Sequence, residues 1–280
     1  MTYFVTEQWL KDQLNNHTDL VIVDVRAQLN DAAAGKKAYT ESHIQHAVYL
    51  DLKAELSGEI KEHGGSHPLP EIETFAKTLG NIGVDEQTTV IIYSDENDMF
   101  SARMWWLLHY LGHTQMYMLT GGYQAWVAAG NKVTKDISVP IPKTYEPNVL
   151  TEATVDMSDV KNKLQASTAI LIDSRAKDRY LGKVEPLYKK AGHIPGAKNY
   201  FWKDVLHADG SWKTVDELKE HFAAIPKEAE IIVSCGSGIS ACPNIIGLQL
   251  AGFKNVKLYP GSYSDWISYP DNRLETKEES

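Results

Sequence analysis

An α/β fold is predicted, built as two duplicated domains, each a parallel sheet flanked by helices on both faces. Three observations predict it. Short apolar, β-branched runs alternate with helical segments along the chain, which is the pattern of parallel strands covered on both sides. The pattern also occurs twice. "VIVDVR" at 21–26 returns as "ILIDSR" at 170–175, "HIQHAVYL" at 43–50 as "HIPGAKNY" at 193–200, and "YLGHTQMYMLTGGYQAW" at 110–126 as "LAGFKNVKLYPGSYSDW" at 250–266. Order is kept and the offsets stay close, at 149, 150 and 140 residues, so the halves are copies of one unit. Finally, 280 residues exceed what one ordinary core needs.

The elements follow in order. In the first half "LVIVDV" and "TVIIYS" read as buried strands, and "SARMWWLLHYLG" as a helix ended by Gly112. "QMYML" is a third strand, and "GGYQAWVAAG" opens another helix. The second half repeats this with "AILIDS", "EIIVSC", "CPNIIGLQLAG" and "NVKLY". The stretch "DISVPIPKTYEPNV" carries three prolines and no period, so it reads as an extended connection. The expected boundaries are a first domain at 1–136, a linker at 137–150 and a second domain at 151–280. The charged end "RLETKEES" is expected to fray.

Composition narrows the function. A net charge of −9 would repel a phosphate backbone, which argues against nucleic acid as a partner. No apolar run reaches the roughly 18 residues of a membrane helix, and the N-terminal stretch lacks the basic and apolar regions of a signal peptide. Two cysteines make no disulfide framework, so a reducing, cytoplasmic setting is expected.

One of those cysteines stands out. In "IIVSCGSGISAC" (231–242) a strand runs directly into Cys235, and two glycines follow. Ligand sites of open α/β sheets lie at the carboxyl ends of strands. Gly236 and Gly238 let the backbone curl and aim its amides inward, Ser240 is placed to cap the next helix, and Pro243 suits its first turn. Such surroundings stabilise a thiolate and leave it accessible. The competing reading is a small core residue at a strand end, which is the assignment for Cys242 inside the following helix. Three other uses of the loop fail. "GSGISA" lacks the third glycine of a dinucleotide fingerprint, Ala241 stands where a cysteine phosphatase needs arginine, and no further ligands surround the cysteines for zinc.

Taken together, "HIPGA", "RYLG", "GSYSDW" and "CGSGISAC" resemble the two-domain rhodaneses, a family of sulfurtransferases, and the resemblance spans both halves. It implies two similar parallel-sheet domains with chemistry only in the second. Where the first domain of this family usually has aspartate, "IIYSD" aligned with "IIVSC" puts Asp95 in the cysteine position. It implies that Cys235 attacks the outer sulfur of a small-molecule donor and becomes a persulfide, which a thiol (thioredoxin among them) or cyanide then accepts. No metal or organic cofactor is implied. The internal pairing of domains favours a monomer.

The donor follows from the loop. Members specialised for thiosulfate carry basic residues there. Those using 3-mercaptopyruvate have a loop like "CGSGVTA", close to the neutral "CGSGISA" here. They also have a serine–histidine–aspartate triad, matched by Ser237, His67 in "SHPLP" and Asp51 in "VYLDL", with His63 as a competitor because "SGEIKEHGG" lengthens the spacing. Such a triad can take the thiol proton of the donor. Arg179 in "DRYLG" matches a substrate-binding arginine, a planar fork suited to a carboxylate. Gly236, Gly238, Ile239 and Ser240 complete the implied binding set from the loop. A second arginine of the mercaptopyruvate enzymes is replaced by Leu187, with Lys189 and Lys190 nearby. Arg103 in "SARMWW" is a further candidate cation, either at the cleft between domains or in a surface ion pair. Arg26 and Arg175, and His43 and His193, recur in both halves and are read as structural. Trp105, Trp106, Trp126 and Trp266 are read as core.

Overall fold

In a computed structural model the chain, described over residues 3–16 and 19–277, divides into two units of similar size. The first comprises Met1–Gly58 with Leu69–Leu150, the second Glu59–Pro68 with Thr151–Ser280. The division in space therefore differs from the sequence boundaries in two ways. The stretch 137–150 belongs to the first unit: the Lys143 and Asn148 amides donate to the carbonyls of Gly80 (2.9 Å) and Leu111 (3.0 Å), and Tyr145 is buried. Ten residues of the first half, 59–68, belong to the second unit.

The strands of the first unit are β1 (Phe4–Val5), β2 (Leu20–Asp24), β3 (His43–Ile44), β4 (Val48–Tyr49), β5 (Thr89–Tyr93), β6 (Met116–Leu119) and β7 (Val133–Thr134). Five make a wholly parallel sheet in the order β1-β6-β5-β2-β4, and β3 pairs antiparallel with β7. Helices α1 (Glu7–Asn15), α2 (Ala34–Glu41), α3 (Ile72–Asn81), α4 (Met99–Tyr110) and α5 (Gly122–Ala128) connect them. The second unit has β8 (Ala169–Asp173), β9 (Lys198–Asn199), β10 (Glu230–Ser234) and β11 (Val256–Leu258), parallel in the order β11-β10-β8-β9. Its helices are α6 (Met157–Gln165), α7 (Lys177–Tyr180), α8 (Val215–His221), α9 (Cys242–Leu250) and α10 (Ser262–Trp266). The apolar runs are central strands because both of their faces are covered: Ile22, Ile91, Leu171 and Ile232 are essentially inaccessible. The four tryptophans assigned to the core are buried.

The duplication extends to side chains. Arg26 forms a buried fork on Asp24 (Nη2–Oδ2 2.7 Å), and Arg175 forms the same fork on Asp173 (2.6 Å). Each guanidinium lies over a tyrosine of the helix after the third long strand, Tyr123 at 4.2 Å and Tyr263 at 3.9 Å. His43 stacks on Tyr39, and His193 on Tyr180, with Nδ1 in each case 2.7 Å from that tyrosine's carbonyl. These four residues hold structure in both copies, as read from the sequence.

Two expectations are corrected. Asp24 pairs with Tyr93 across β2 and β5, and Asp173 with Ser234 across β8 and β10. The residue corresponding to Cys235 is thus Ser94, and Asp95 corresponds to Gly236. The hydrogen bonds agree, since Tyr123 N donates to Ser94 O and Tyr263 N to Cys235 O. The shared "II" drew the alignment off by one, a slip that would turn every side chain to the opposite face. The C-terminal segment is also tied down as far as Glu275, whose backbone exchanges hydrogen bonds of 2.8 and 3.0 Å with His193. Residues 278–280 lie outside those described.

Candidate active site: a cysteine loop rimmed by hydroxyls

Strand β10 ends at Ser234, and Cys235 begins the loop. Three hydrogen bonds fix that loop to the start of α10. Cys235 N donates to Ser262 Oγ (3.0 Å), and the carbonyls of Cys235 and Gly236 accept from Tyr263 N (3.0 Å) and Ser264 N (2.9 Å). Gly238 then turns the chain back with φ +79°. A Cβ there would lie 2.4 Å from the Pro260 carbonyl oxygen, so both the conformation and the space require glycine. The turn brings the Gly238 amide to 3.1 Å from Cys235 Sγ, where it donates to the sulfur.

The thiol is only 1 % exposed, although the sequence reading expected it to be accessible. The loop folds back over the sulfur with its own amide, and Tyr188 lies against Gly236. Ser240 is not a cap. The Cys242 amide first closes a turn on Ile239 O (3.1 Å), so α9 starts at Cys242 with Ala241 before it and Pro243 in its first turn. Cys242 is fully buried, its thiol donating to Gly238 O at 3.4 Å, in keeping with a core role.

The segment 59–68 supplies the histidine. His67 Nδ1 lies 2.8 Å from Ser237 Oγ. His63 faces elsewhere: it stacks on Tyr269 at 4.0 Å and holds Ser268 Oγ at 2.7 Å. The segment is fixed by the Gly64 amide on Asp265 Oδ1 (2.7 Å) and the Ser66 amide on Ser264 Oγ (3.0 Å).

The cations are arranged differently from what a bare anion site needs. Arg179 forms a two-pronged pair with Glu185, with Nη2–Oε1 at 2.8 Å and Nε–Oε2 at 3.2 Å. Arg175 reaches the same carboxylate at 3.3 Å. Glu185 therefore balances two guanidiniums, and Arg179 keeps 22 % of its side chain exposed. Leu187 is exposed, and Lys190 Nζ donates to Ile267 O at 3.2 Å. In the first unit, the Asp51 carboxylate accepts from the amides of Lys53 (2.8 Å) and Ala54 (3.0 Å) and from the Tyr49 hydroxyl (3.2 Å). Arg103 is fully buried on α4 rather than at the surface, with Nη2 donating to Leu56 O at 3.3 Å. Among the described residues no group of three acidic, histidine or cysteine side chains could hold a metal ion, and no helix is long and apolar enough to cross a membrane.

One residue of this site carried no signal in the sequence. The Tyr188 hydroxyl stands 3.0 Å from where a Gly236 Cβ would be. Burial pushes its phenol above the ordinary value. Only its position one residue past Leu187, where a substrate cation was sought, could have drawn attention to it.

A cysteine at a parallel strand's carboxyl end carries an amide on its sulfur, and a serine of its loop pairs with a histidine of the segment 59–68, an arrangement suited to group transfer by a thiol. The comparisons narrow the class. The rhodanese-like domain family matches twice, at residues 6–129 and 156–269. The chain is 36 % identical over 277 residues to a probable 3-mercaptopyruvate sulfurtransferase of Pseudomonas aeruginosa, covering 97 % of both. It is 28 % identical to the thiosulfate sulfurtransferase of Mus musculus over 96 % of this chain and 94 % of that one. The crystal structure of the 3-mercaptopyruvate sulfurtransferase SseA from Escherichia coli superimposes with a TM-score of 0.81 at 32 % identity, over 94 % of this chain and all of that one. The chain belongs to the rhodanese family, and it is a sulfurtransferase.

Proposed function

We propose that this enzyme takes sulfur from 3-mercaptopyruvate, holds it as a persulfide on Cys235, and passes it to a thiol or to cyanide. The observation that carries this reading is the 2.8 Å contact between His67 Nδ1 and Ser237 Oγ, two residues along the loop from the nucleophile. Thiosulfate has no proton to lose, so a serine–histidine pair serves it no purpose. The thiol of 3-mercaptopyruvate does have one.

In the proposed step the Cys235 thiolate attacks the donor's sulfur. An S–S bond forms, the S–C bond breaks, and its electron pair leaves on carbon as the enolate of pyruvate. The donor's thiol proton moves through Ser237 to neutral His67 and ends on the enolate carbon, giving pyruvate and an anionic persulfide. The Gly238 amide that already donates to Sγ stabilises thiolate and persulfide alike. A thiol or cyanide then attacks the outer sulfur, and Cys235 departs as thiolate. Asp51 is the proposed third member of the triad. Arg179, with Arg103 and the loop residues Gly236, Gly238, Ile239 and Ser240, is the proposed binding set for the donor.

The enzyme is proposed to act as a cytoplasmic monomer; Cys235 and Cys242 are both free thiols. Light scattering checks the monomer. The decisive measurement is kcat/KM for 3-mercaptopyruvate against thiosulfate with one common acceptor. The expected result is a clear preference for 3-mercaptopyruvate, and a preference for thiosulfate would overturn the donor assignment.

A further inference from the structure

The segment that carries His67 is fastened to α10 and the turn after it. The Gly64 amide donates to Asp265 Oδ1 (2.7 Å), the Ser66 amide to Ser264 Oγ (3.0 Å), and His63 meets Ser268 Oγ (2.7 Å) and the Tyr269 ring. The offset of 140 residues that relates the two copies sets these four partners against Gln124, Ala125, Ala128 and Ala129. That offset holds in the hydrogen bonds, since Gln124 N donates to Asp95 O and Ser264 N to Gly236 O. The acid among the four partners is buried, at 5 % exposure, and a buried acid needs partners for both oxygens. Oδ1 takes the Gly64 amide, and Oδ2 accepts from the Tyr259 hydroxyl at 2.7 Å. Burial, with Asp265 beside it, pushes the Tyr259 phenol above its ordinary value, so it stays protonated and donates. Tyr259 answers Leu119 of the first copy. A hydrogen-bonded pair, Tyr259 and Asp265, thus stands where the first copy has the apolar pair Leu119 and Ala125.

We propose that Asp265 is a positioning residue for sulfur transfer from a thiol donor: it clamps the segment 59–68 to α10 and so keeps His67 within reach of Ser237. This rests on the 3-mercaptopyruvate reading. The Tyr259 hydroxyl fixes one carboxylate oxygen, which aims the other at the Gly64 amide. Gly64 lies three residues before His67, so a slack segment lets the imidazole drift. A shift of about 1 Å can cost a positioned group about 100-fold. The Cys235 loop keeps its own supports when the clamp is lost. Its sulfur is held by the Gly238 amide, and its carbonyls by the backbone amides of Tyr263 and Ser264. A donor with a proton to lose needs the imidazole in place, and a donor without one does not. Losing the clamp therefore separates the two donors.

Tyr259→Leu combined with Asp265→Ala rebuilds the apolar pair of the first copy and leaves no hydroxyl without its acceptor. In the full-length enzyme the pair should lower kcat for 3-mercaptopyruvate by about 10- to 100-fold. KM should hold, and kcat/KM for thiosulfate should be unchanged. Hydrogen exchange at the Gly64 amide should quicken by about 10-fold or more, while the amides of β10 keep their rates. Asp265→Asn keeps an oxygen for Gly64 and an amide that can donate to Tyr259, so its turnover should stay within about threefold of wild type. In a His67→Ala background the paired substitution should cost nothing more, since both act through one imidazole. Asp265→Ala alone carries the same expectations if the paired variant does not fold. The inference is overturned by equal losses with both donors, by a full further loss in the His67→Ala background, or by failure of Asp265→Asn to keep turnover. Unchanged 3-mercaptopyruvate turnover, or Gly64 exchange at the wild-type rate, would overturn it too and leave the donor reading intact. Wild-type enzyme without 3-mercaptopyruvate turnover would overturn the donor reading itself.

Discussion

His67 Nδ1 sits 2.8 Å from Ser237 Oγ, although 170 positions separate the two residues in the chain. The contact joins a residue of the first sequence repeat to the loop of the second. It defines the first prediction. Ser237→Ala and His67→Ala should each lower kcat for 3-mercaptopyruvate by about 10²- to 10⁴-fold, the usual contribution of a positioned acid–base group. Thiosulfate turnover should change little. Steady-state kinetics with both donors checks this, and parallel losses would refute a proton-relay role.

Cys235→Ser should leave no turnover with either donor, and mass spectrometry of the donor-treated protein should show no added sulfur. Cys242→Ala should keep both activities, since that thiol is fully buried and bonded to Gly238 O at 3.4 Å. An added sulfur that persists in Cys235→Ser and disappears in Cys242→Ala would reverse the assignment.

Gly238→Ala should destabilise the protein by more than about 1 kcal/mol and abolish activity. The positive φ of +79° and the Pro260 oxygen 2.4 Å from the new methyl both oppose it. Gly210→Ala, at φ +81° with open space around it, serves as a control that shares the backbone strain without the collision. Chemical denaturation compares the two, and equal losses would show that the collision is not felt.

Asp24→Asn should cost about 3–5 kcal/mol, because Arg26 would be left as a buried, uncompensated charge. Urea titration measures it, and a loss under about 1 kcal/mol would mean the guanidinium finds another partner.

Asp98 caps α4, accepting from the amides of Phe100 (2.8 Å) and Ser101 (3.2 Å). Burial pushes its carboxyl up to about 6. The folded state then holds a proton that the unfolded chain releases near the ordinary value of about 3.9, so stability falls as pH rises from about 4 to about 6. Asp98→Asn should keep the cap and remove that slope. The stabilisation by Asp98→Asn should therefore be larger at pH 7 than at pH 5. Thermal melts at pH 5 and pH 7 test this, and a variant with the wild-type slope would contradict it.

The sequence made the sheets and the cysteine loop legible because both are local. "VIIY" and "EIIVS" are apolar because their faces are covered, and Cys235 is marked by the strand before it and the glycines after it. What depends on distant pairing was less legible. The one-residue offset that sets Ser94 opposite Cys235 follows from hydrogen bonds to β2 and β8 and leaves no trace in letter matching. Ser240 looks like a cap until the turn at Ile239 moves the helix start past it. Tyr188 has no motif, and only the folded loop shows what its hydroxyl faces.

The crossing segment 59–68 also bears on how the gene can change. A duplicated domain that has lost its nucleophile would ordinarily be free to decay or be deleted. Here the first copy encodes the histidine that the Cys235 loop holds, and the Gly64 and Ser66 amides anchor it there. Cutting the reading frame at residue 150 would leave a complete sheet and an intact cysteine, with no base beside Ser237. If the proposed relay holds, the first half is kept as the carrier of a ten-residue segment that the second half's loop requires, and the two copies are inherited together.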